Sequence, residues 1–240
     1  MLDLPTEALA WVITFVAAIV QGTIGTGFAI FSVPLLTLID PSLTPIPQIL
    51  LAFPMTFGAV WRERQHIDLD GIWWIISGRV PGTLAAAWML TQITEKTFDL
   101  VIASIVLAFV LVIGRGWEIR LNNRNRLLAG VASGFGGTAS AIGGPPVILL
   151  YRNTPGPTLR STVAAVFAAG ILITMTTLHL TGVATAVDYR VAATLLIPMA
   201  AGFWLSGKLI RLVEGEHLKR AILIVCSIAG VALLVRGLAA

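Results

Sequence analysis

The stretches QGTIGTGF, at residues 21–28, and SGFGGTASAIGGPP, at residues 133–146, interrupt long apolar segments with glycine and small polar residues. Each is flanked on both sides by apolar runs of roughly half a membrane-spanning helix. A backbone break at membrane depth is tolerated only where protein or a water-filled cavity satisfies the freed peptide groups. Paired breaks in two halves of a sequence are typical of a transporter's substrate site. The two stretches therefore predict a broken-helix membrane protein with a ligand site at the breaks.

The composition predicts an all-α integral membrane protein. Apolar residues make up 57% of the 240 residues, charged residues 12%, and mean hydropathy is +0.90. A β-barrel would need alternating polarity instead. Apolar runs close to spanning length, when tilted, lie at residues 46–61, 72–90, 98–113, 163–180, 191–207 and 221–235.

Charge and cysteine content exclude several other classes of protein. The net charge of +4 comes from basic residues in short loops between spans, which membrane topology explains without nucleic acid. Cys226 is the single cysteine, so neither an intramolecular disulfide nor a multi-cysteine metal site can form. We expect no cofactor and no metal.

The second half of the chain repeats features of the first. Gly27 recurs as Gly144, Asp68 as Asp188 and Gly82 as Gly202, with a slowly drifting offset. This predicts a first repeat at residues 1–118 and a second at 119–240, within a single membrane domain. Each repeat is expected to be a glycine-broken, re-entrant helical hairpin followed by three transmembrane helices.

Loop charges predict how the two repeats are oriented. If both broken segments enter the membrane and return to the side from which they came, twelve basic residues lie on one face of the membrane and three on the other. If both segments crossed fully, the split would be eight to seven, so the positive-inside rule favours re-entrant hairpins with the twelve-charge face cytoplasmic. Three net crossings per repeat then make the repeats inverted. A first segment that spans fully, with a re-entrant second segment, gives the same split and stays open.

The breaks also predict an anion site. A half-helix begins at Phe28 and another at Pro145, and such N-termini attract anions. With inverted repeats, the two N-termini are expected to converge near the bilayer centre. The expected substrate-binding residues are Thr23, Gly25, Thr26, Gly27, Phe28, Thr138, Ser140, Gly143, Gly144 and Pro145. The alternative explanation of these small residues is tight helix packing.

Arg79 is the one basic residue placed well inside an apolar span. An arginine there should face a cavity, a partner or the substrate, and could complete the anion site. The alternative is a side chain that snorkels to an interface.

Two motifs resemble those of a known family. GTIGTGFAIFSVPLL at residues 22–36, and GFGGTASAIGGPPVILLY at 134–151 with LRST at 159–162, resemble the paired signatures of the TauE/SafE sulfite exporter family. The resemblance implies a multi-pass permease of the bacterial inner (plasma) membrane. Its expected substrates are small sulfur-containing anions such as sulfite, thiosulfate or organosulfonates, with export the expected direction.

Other functions are less well supported by the sequence. An intramembrane hydrolase could use Ser133 with His179, but the pattern around Ser133 departs from the rhomboid-like motif. A passive anion channel suits the lack of a carboxylate in the middle of any apolar segment. The expected partners are the substrate anion and the lipid bilayer; a homo-oligomer is compatible with the sequence. Which sulfur anion is carried, the coupling ion and the oligomeric state stay open.

Overall fold

The computed structural model describes residues 4–24, 27–115, 119–209 and 215–239, and this part of the chain is helical, without strands. The predicted all-α class is therefore confirmed. The helices are α1 (Leu4–Ile24), α2 (Phe28–Ile39), α3 (Ile46–Glu63), α4 (Leu69–Leu90), α5 (Glu95–Arg115), α6 (Asn123–Ser140), α7 (Gly144–Tyr151), α8 (Gly156–Leu180), α9 (Ala186–Leu209) and α10 (Gly215–Ala239).

Four helices of the described chain, α1, α8, α9 and α10, are long and apolar enough to cross a membrane, judged by length and composition. The chain also breaks where the sequence predicts. Gly27 separates α1 from α2 with a φ of 118°, a conformation that favours glycine, and Ala141 follows α6 with a φ of 59°. With 12 and 8 residues, α2 and α7 are only about 18 and 12 Å long, too short to span a hydrocarbon core of about 30 Å.

The chain forms two compact units, and each draws on both halves of the sequence. The first unit comprises Met1–Leu51, Thr94–Val110 and Ala186–Ala240, and the second comprises Ala52–Ile93 and Leu111–Thr185. The units therefore do not follow the division into residues 1–118 and 119–240. The repeats themselves stay a prediction.

In the second unit, α4 and α6 run parallel with their backbones in contact. Gly78 and Gly82 of α4 face the carbonyl groups of Leu127 and Val131, so closely that a Cβ at either glycine would overlap them. Gly130 and Gly134 of α6 face the α4 backbone at Ile75 and Arg79 in the same way. Glycines spaced four apart on both helices thus allow this close approach, as at many helix contacts in membranes.

The first unit contains a similar parallel pair, α1 and α9. Gly202 of α9 lies against the Phe15 carbonyl of α1, and Gly22 of α1 lies against the Ser206 side chain of α9. In the predicted repeat, α1 corresponds to α6 and α9 to α4. Each close pair therefore joins a broken-hairpin helix of one half to a helix of the other half.

Asp68 joins four helices at one end of the second unit. Asp68 caps α4 by accepting a hydrogen bond from the Gly71 N–H at 2.9 Å. Its other oxygen accepts from Arg126 of α6 at 2.6 Å and from the Tyr151 hydroxyl of α7 at 2.8 Å, while its own N–H donates to Thr162 of α8 at 3.0 Å. Hence α6 begins, and α7 ends, at the same end of this unit. The re-entrant interpretation needs this hairpin geometry, although the crossing of a membrane stays a prediction.

Candidate functional site

Arg79 lies near the middle of α4, and its side chain is only 3% exposed. Its Nη1 donates a hydrogen bond of 2.6 Å to the hydroxyl of Ser133 on α6. Its Nε is buried without a hydrogen-bond partner, and no carboxylate of the described chain forms an ion pair with it. The guanidinium therefore stays inside the second unit rather than extending to an interface.

Glycines make room for this guanidinium. A Cβ on Gly137 of α6 would lie 2.9 Å from Nη2 of Arg79, and a Cβ on Gly170 of α8 would overlap Nε and Cζ. Gly137 also adjoins the break, because a Cβ on Gly143 would lie 3.1 Å from the Gly137 Cα. The predicted residues Arg79 and Gly143 thus both contact Gly137.

A cluster of buried hydroxyl groups follows Arg79 along α4. The Thr138 hydroxyl bonds to Thr83 at 3.3 Å and to Thr174 at 3.0 Å. These threonines come from α6, α4 and α8, the helices that surround Arg79, and all three are buried. Thr138 was an expected binding residue, and its hydroxyl is here shared with two others.

The start of α7 offers few backbone donors. Gly143 is its N-cap and makes no side-chain cap bond, while Pro145 and Pro146 have no N–H to donate. The Ser140 hydroxyl is directed back to the Gly136 carbonyl at 2.8 Å, and a Cβ on Gly144 would lie 3.3 Å from Phe167. The dipole of α7 remains, but Arg79 is the stronger donor beside this break.

The first break is capped by its own side chain. The Phe28 N–H donates to Oε1 of Gln21 at 3.0 Å, so this amide is not free for a ligand as the sequence suggested. The Thr23 hydroxyl donates to the carbonyls of Ile19 and Val20 in its own helix. Gly27 is described, whereas the expected binding residues Gly25 and Thr26 lie outside the described residues.

A family model described as sulfite exporter TauE/SafE matches residues 10–233 of this chain. The chain belongs to the TauE/SafE family. Members of this family are membrane transporters rather than enzymes, which removes the hydrolase alternative for Ser133. Searches of curated proteins and of solved structures gave no match.

Four residues around Arg79 in this TauE/SafE protein were not expected as site residues: Ser133, Thr83, Gly170 and Thr174. The spacing of these residues along the sequence indicates which of them share a helix face. Thr83 follows Arg79 by four residues, and Thr174 follows Gly170 by four, so each pair shares a helix face. The pairing of α4 with α6 and α8 could not be read from spacing, because it depends on contacts between distant segments.

Proposed function

We propose that this TauE/SafE protein exports small sulfur-containing anions, sulfite or organosulfonates, through the inner membrane of a bacterium. Membership of the family supports a sulfur-anion exporter as the class of transporter.

We place the anion beside Arg79 in the second unit. The observation that carries this placement is a buried guanidinium that has, among the described residues, one hydrogen bond, to Ser133, and no carboxylate partner. A buried charge without a partner is costly, and arginine binds oxyanions through two parallel hydrogen bonds. A bound sulfur oxyanion would supply both the missing charge and the missing acceptors. Gly143 packs against Ser133 and Gly137, the two neighbours of Arg79 on α6, and Thr138 bonds to Thr83 one turn along α4. We therefore propose Gly143 and Thr138 as further members of this site.

A role for the first break stays a prediction. Gln21 already satisfies the Phe28 amide, so an anion there would compete with this side chain or draw on the dipole of α2. A substrate-bound structure tests this role. Substrate density within hydrogen-bonding distance of the Gly27 backbone would support it.

Transport is tested with purified protein in liposomes and isotopically labelled sulfite. We expect uptake that saturates with sulfite concentration, and that unlabelled methanesulfonate slows. Empty liposomes, and liposomes with an unrelated membrane protein, are the controls. Flux that rises linearly without saturation would favour a passive channel, and the absence of any protein-dependent flux of sulfite or sulfonates would refute the proposal.

A further inference from the structure

In the described part of the second unit, the buried charge is a single positive one. Among the described residues of that unit, Arg79 is the only buried residue with a charge. The other buried polar residues there carry hydroxyl groups. The groups that contact its guanidinium are the Ser133 hydroxyl on α6 and the glycines 137 and 170 on α6 and α8. None of these carries a charge.

Most of the hydrogen-bonding capacity of Arg79 is unused. A guanidinium has about five N–H donors; within the described part of the chain, one bonds to Ser133 and Nε has no hydrogen-bond partner. Water could satisfy these donors, but it could not neutralise the charge. An oxyanion does both, since it offers several acceptor oxygens and an opposite charge.

Building on the proposed function, we propose that this site is matched to one negative charge. It accepts singly charged tetrahedral or pyramidal sulfur oxyanions, such as sulfonates and hydrogen sulfite, and rejects doubly charged ones such as sulfate. The physical reason is that one negative charge neutralises Arg79. A second negative charge would stay unpaired in a region of low dielectric constant, where an unpaired ion is strongly disfavoured.

Three sulfur compounds of similar size test the proposal. Dimethyl sulfone is neutral, methanesulfonate carries one negative charge and sulfate carries two, and none of them titrates near neutral pH. Binding is measured by isothermal titration calorimetry on detergent-purified protein at constant ionic strength. We expect methanesulfonate to bind at least about tenfold more tightly than sulfate and also more tightly than dimethyl sulfone.

Removing the positive charge should change this order of affinities. In Arg79→Gln the site has no net charge, so the advantage of methanesulfonate over dimethyl sulfone should disappear. Gly207→Ala is the matched control, because nothing lies within 4 Å of a Cβ there, and it should keep the wild-type order. If Arg79→Gln does not purify as a single species, the wild-type series decides.

The outcomes separate the two proposals. Sulfate binding as tightly as methanesulfonate, while both bind and sulfite is transported, would overturn the charge match and leave the exporter intact. The same holds if Arg79→Gln retains the preference for methanesulfonate over dimethyl sulfone. No binding of methanesulfonate or sulfate, together with no sulfite transport, would overturn the proposed function and this inference with it.

Discussion

Arg79 can be buried in the second unit because two of its neighbours have no side chains. An arginine at a helix centre costs about 2.5–3.5 kcal/mol on insertion scales. The second unit accommodates it because Gly137 and Gly170 have no side chains to displace the guanidinium, and because Ser133 accepts one of its hydrogen bonds. These residues would be unremarkable as helix packing if Arg79 were absent.

The first prediction concerns the planar guanidinium of Arg79. Arg79→Lys keeps the charge but loses the planar donor geometry, and Arg79→Gln loses both. Affinity for methanesulfonate should therefore fall from wild type to Arg79→Lys to Arg79→Gln, with about tenfold or more lost in the last. Titration calorimetry measures the order. Equal affinities in all three folded proteins would show that Arg79 does not contact the anion.

The second prediction concerns Asp68, whose carboxylate joins α4, α6 and α7. Burial alone would raise the pKa of Asp68, but the Gly71 N–H, the Tyr151 hydroxyl and the positive charge of Arg126 together lower it below 3.8. A lowered pKa in the folded state means that Asp68 stabilises the fold above its ordinary pKa, and that this contribution is lost as the pH falls below it.

Asp68→Asn should therefore destabilise the protein by about 1 kcal/mol near neutral pH. The difference from wild type should shrink below about pH 4. Thermal unfolding of the detergent-purified proteins across this range measures it. Asp70→Asn, an exposed neighbour in the first turn of α4, is the matched control and should have little effect. A difference that persists unchanged in acid would mean that the ion pair is not the cause.

At the scale of elements, the close contact of α4 and α6 organises the second unit. The contact needs glycine at four places, two on each helix, since a Cβ at any of them would overlap the facing backbone. Backbone atoms cannot move aside as a flexible side chain can. The crossing therefore sets the position of Ser133 against Arg79.

The third prediction follows from this contact. Gly82→Ala would place a Cβ against the Val131 carbonyl and force the two helices apart, at a cost of about 1–3 kcal/mol. Gly207→Ala, where nothing lies within 4 Å, should leave the melting temperature nearly unchanged. Thermal unfolding in detergent compares the two variants. Equal melting temperatures of the two variants would show that α4 and α6 do not pack with their backbones in contact.

Some of these elements could be predicted and others could not. The glycine stretches predict the two breaks because glycine and proline act locally on the backbone. The isolated charge of Arg79 predicts a polar site, since its burial cost has few solutions. The pairing of α4 with α6 was missed because it depends on how remote segments fold together. The cap of Phe28 by Gln21, seven residues earlier, was missed because it depends on the geometry of the break itself.

At the scale of the whole molecule, the distribution of basic residues predicts which loops lie on the cytoplasmic side of the membrane. The predicted cytoplasmic face collects these residues: Arg62, Arg64, Arg115, Arg120, Arg124, Arg126, Arg152, Arg160, Lys208, Arg211, Lys219 and Arg220. The opposite face keeps Lys96, Arg190 and Arg236. Family, helical class and membrane transport are established, while the inverted repeat stays a prediction.

The fourth prediction is topological. In a Cys226→Ser background, single cysteines at Arg124 and Arg152 should be labelled from the cytoplasmic side, and a cysteine at Gln92 from the other side. The expectation rests on the positive-inside rule and on the contacts of Asp68 with both Arg126 and Tyr151. Impermeant thiol reagents on intact cells and on inverted vesicles measure it. Labels at Arg124 and Arg152 on opposite sides would rule out the re-entrant second hairpin.

The backbone contact of α4 with α6 also has a mechanical consequence. Carbonyl groups of each helix lie against glycines of the other, so we expect the two helices to interlock and to move as one rigid body. Arg79, Ser133 and Gly137 sit on that body, whereas Gly170, which also contacts Arg79, sits on α8. We therefore expect a path to the guanidinium to open by displacement of α8. Spin labels should keep a fixed α4–α6 distance through the transport cycle while the α4–α8 distance changes.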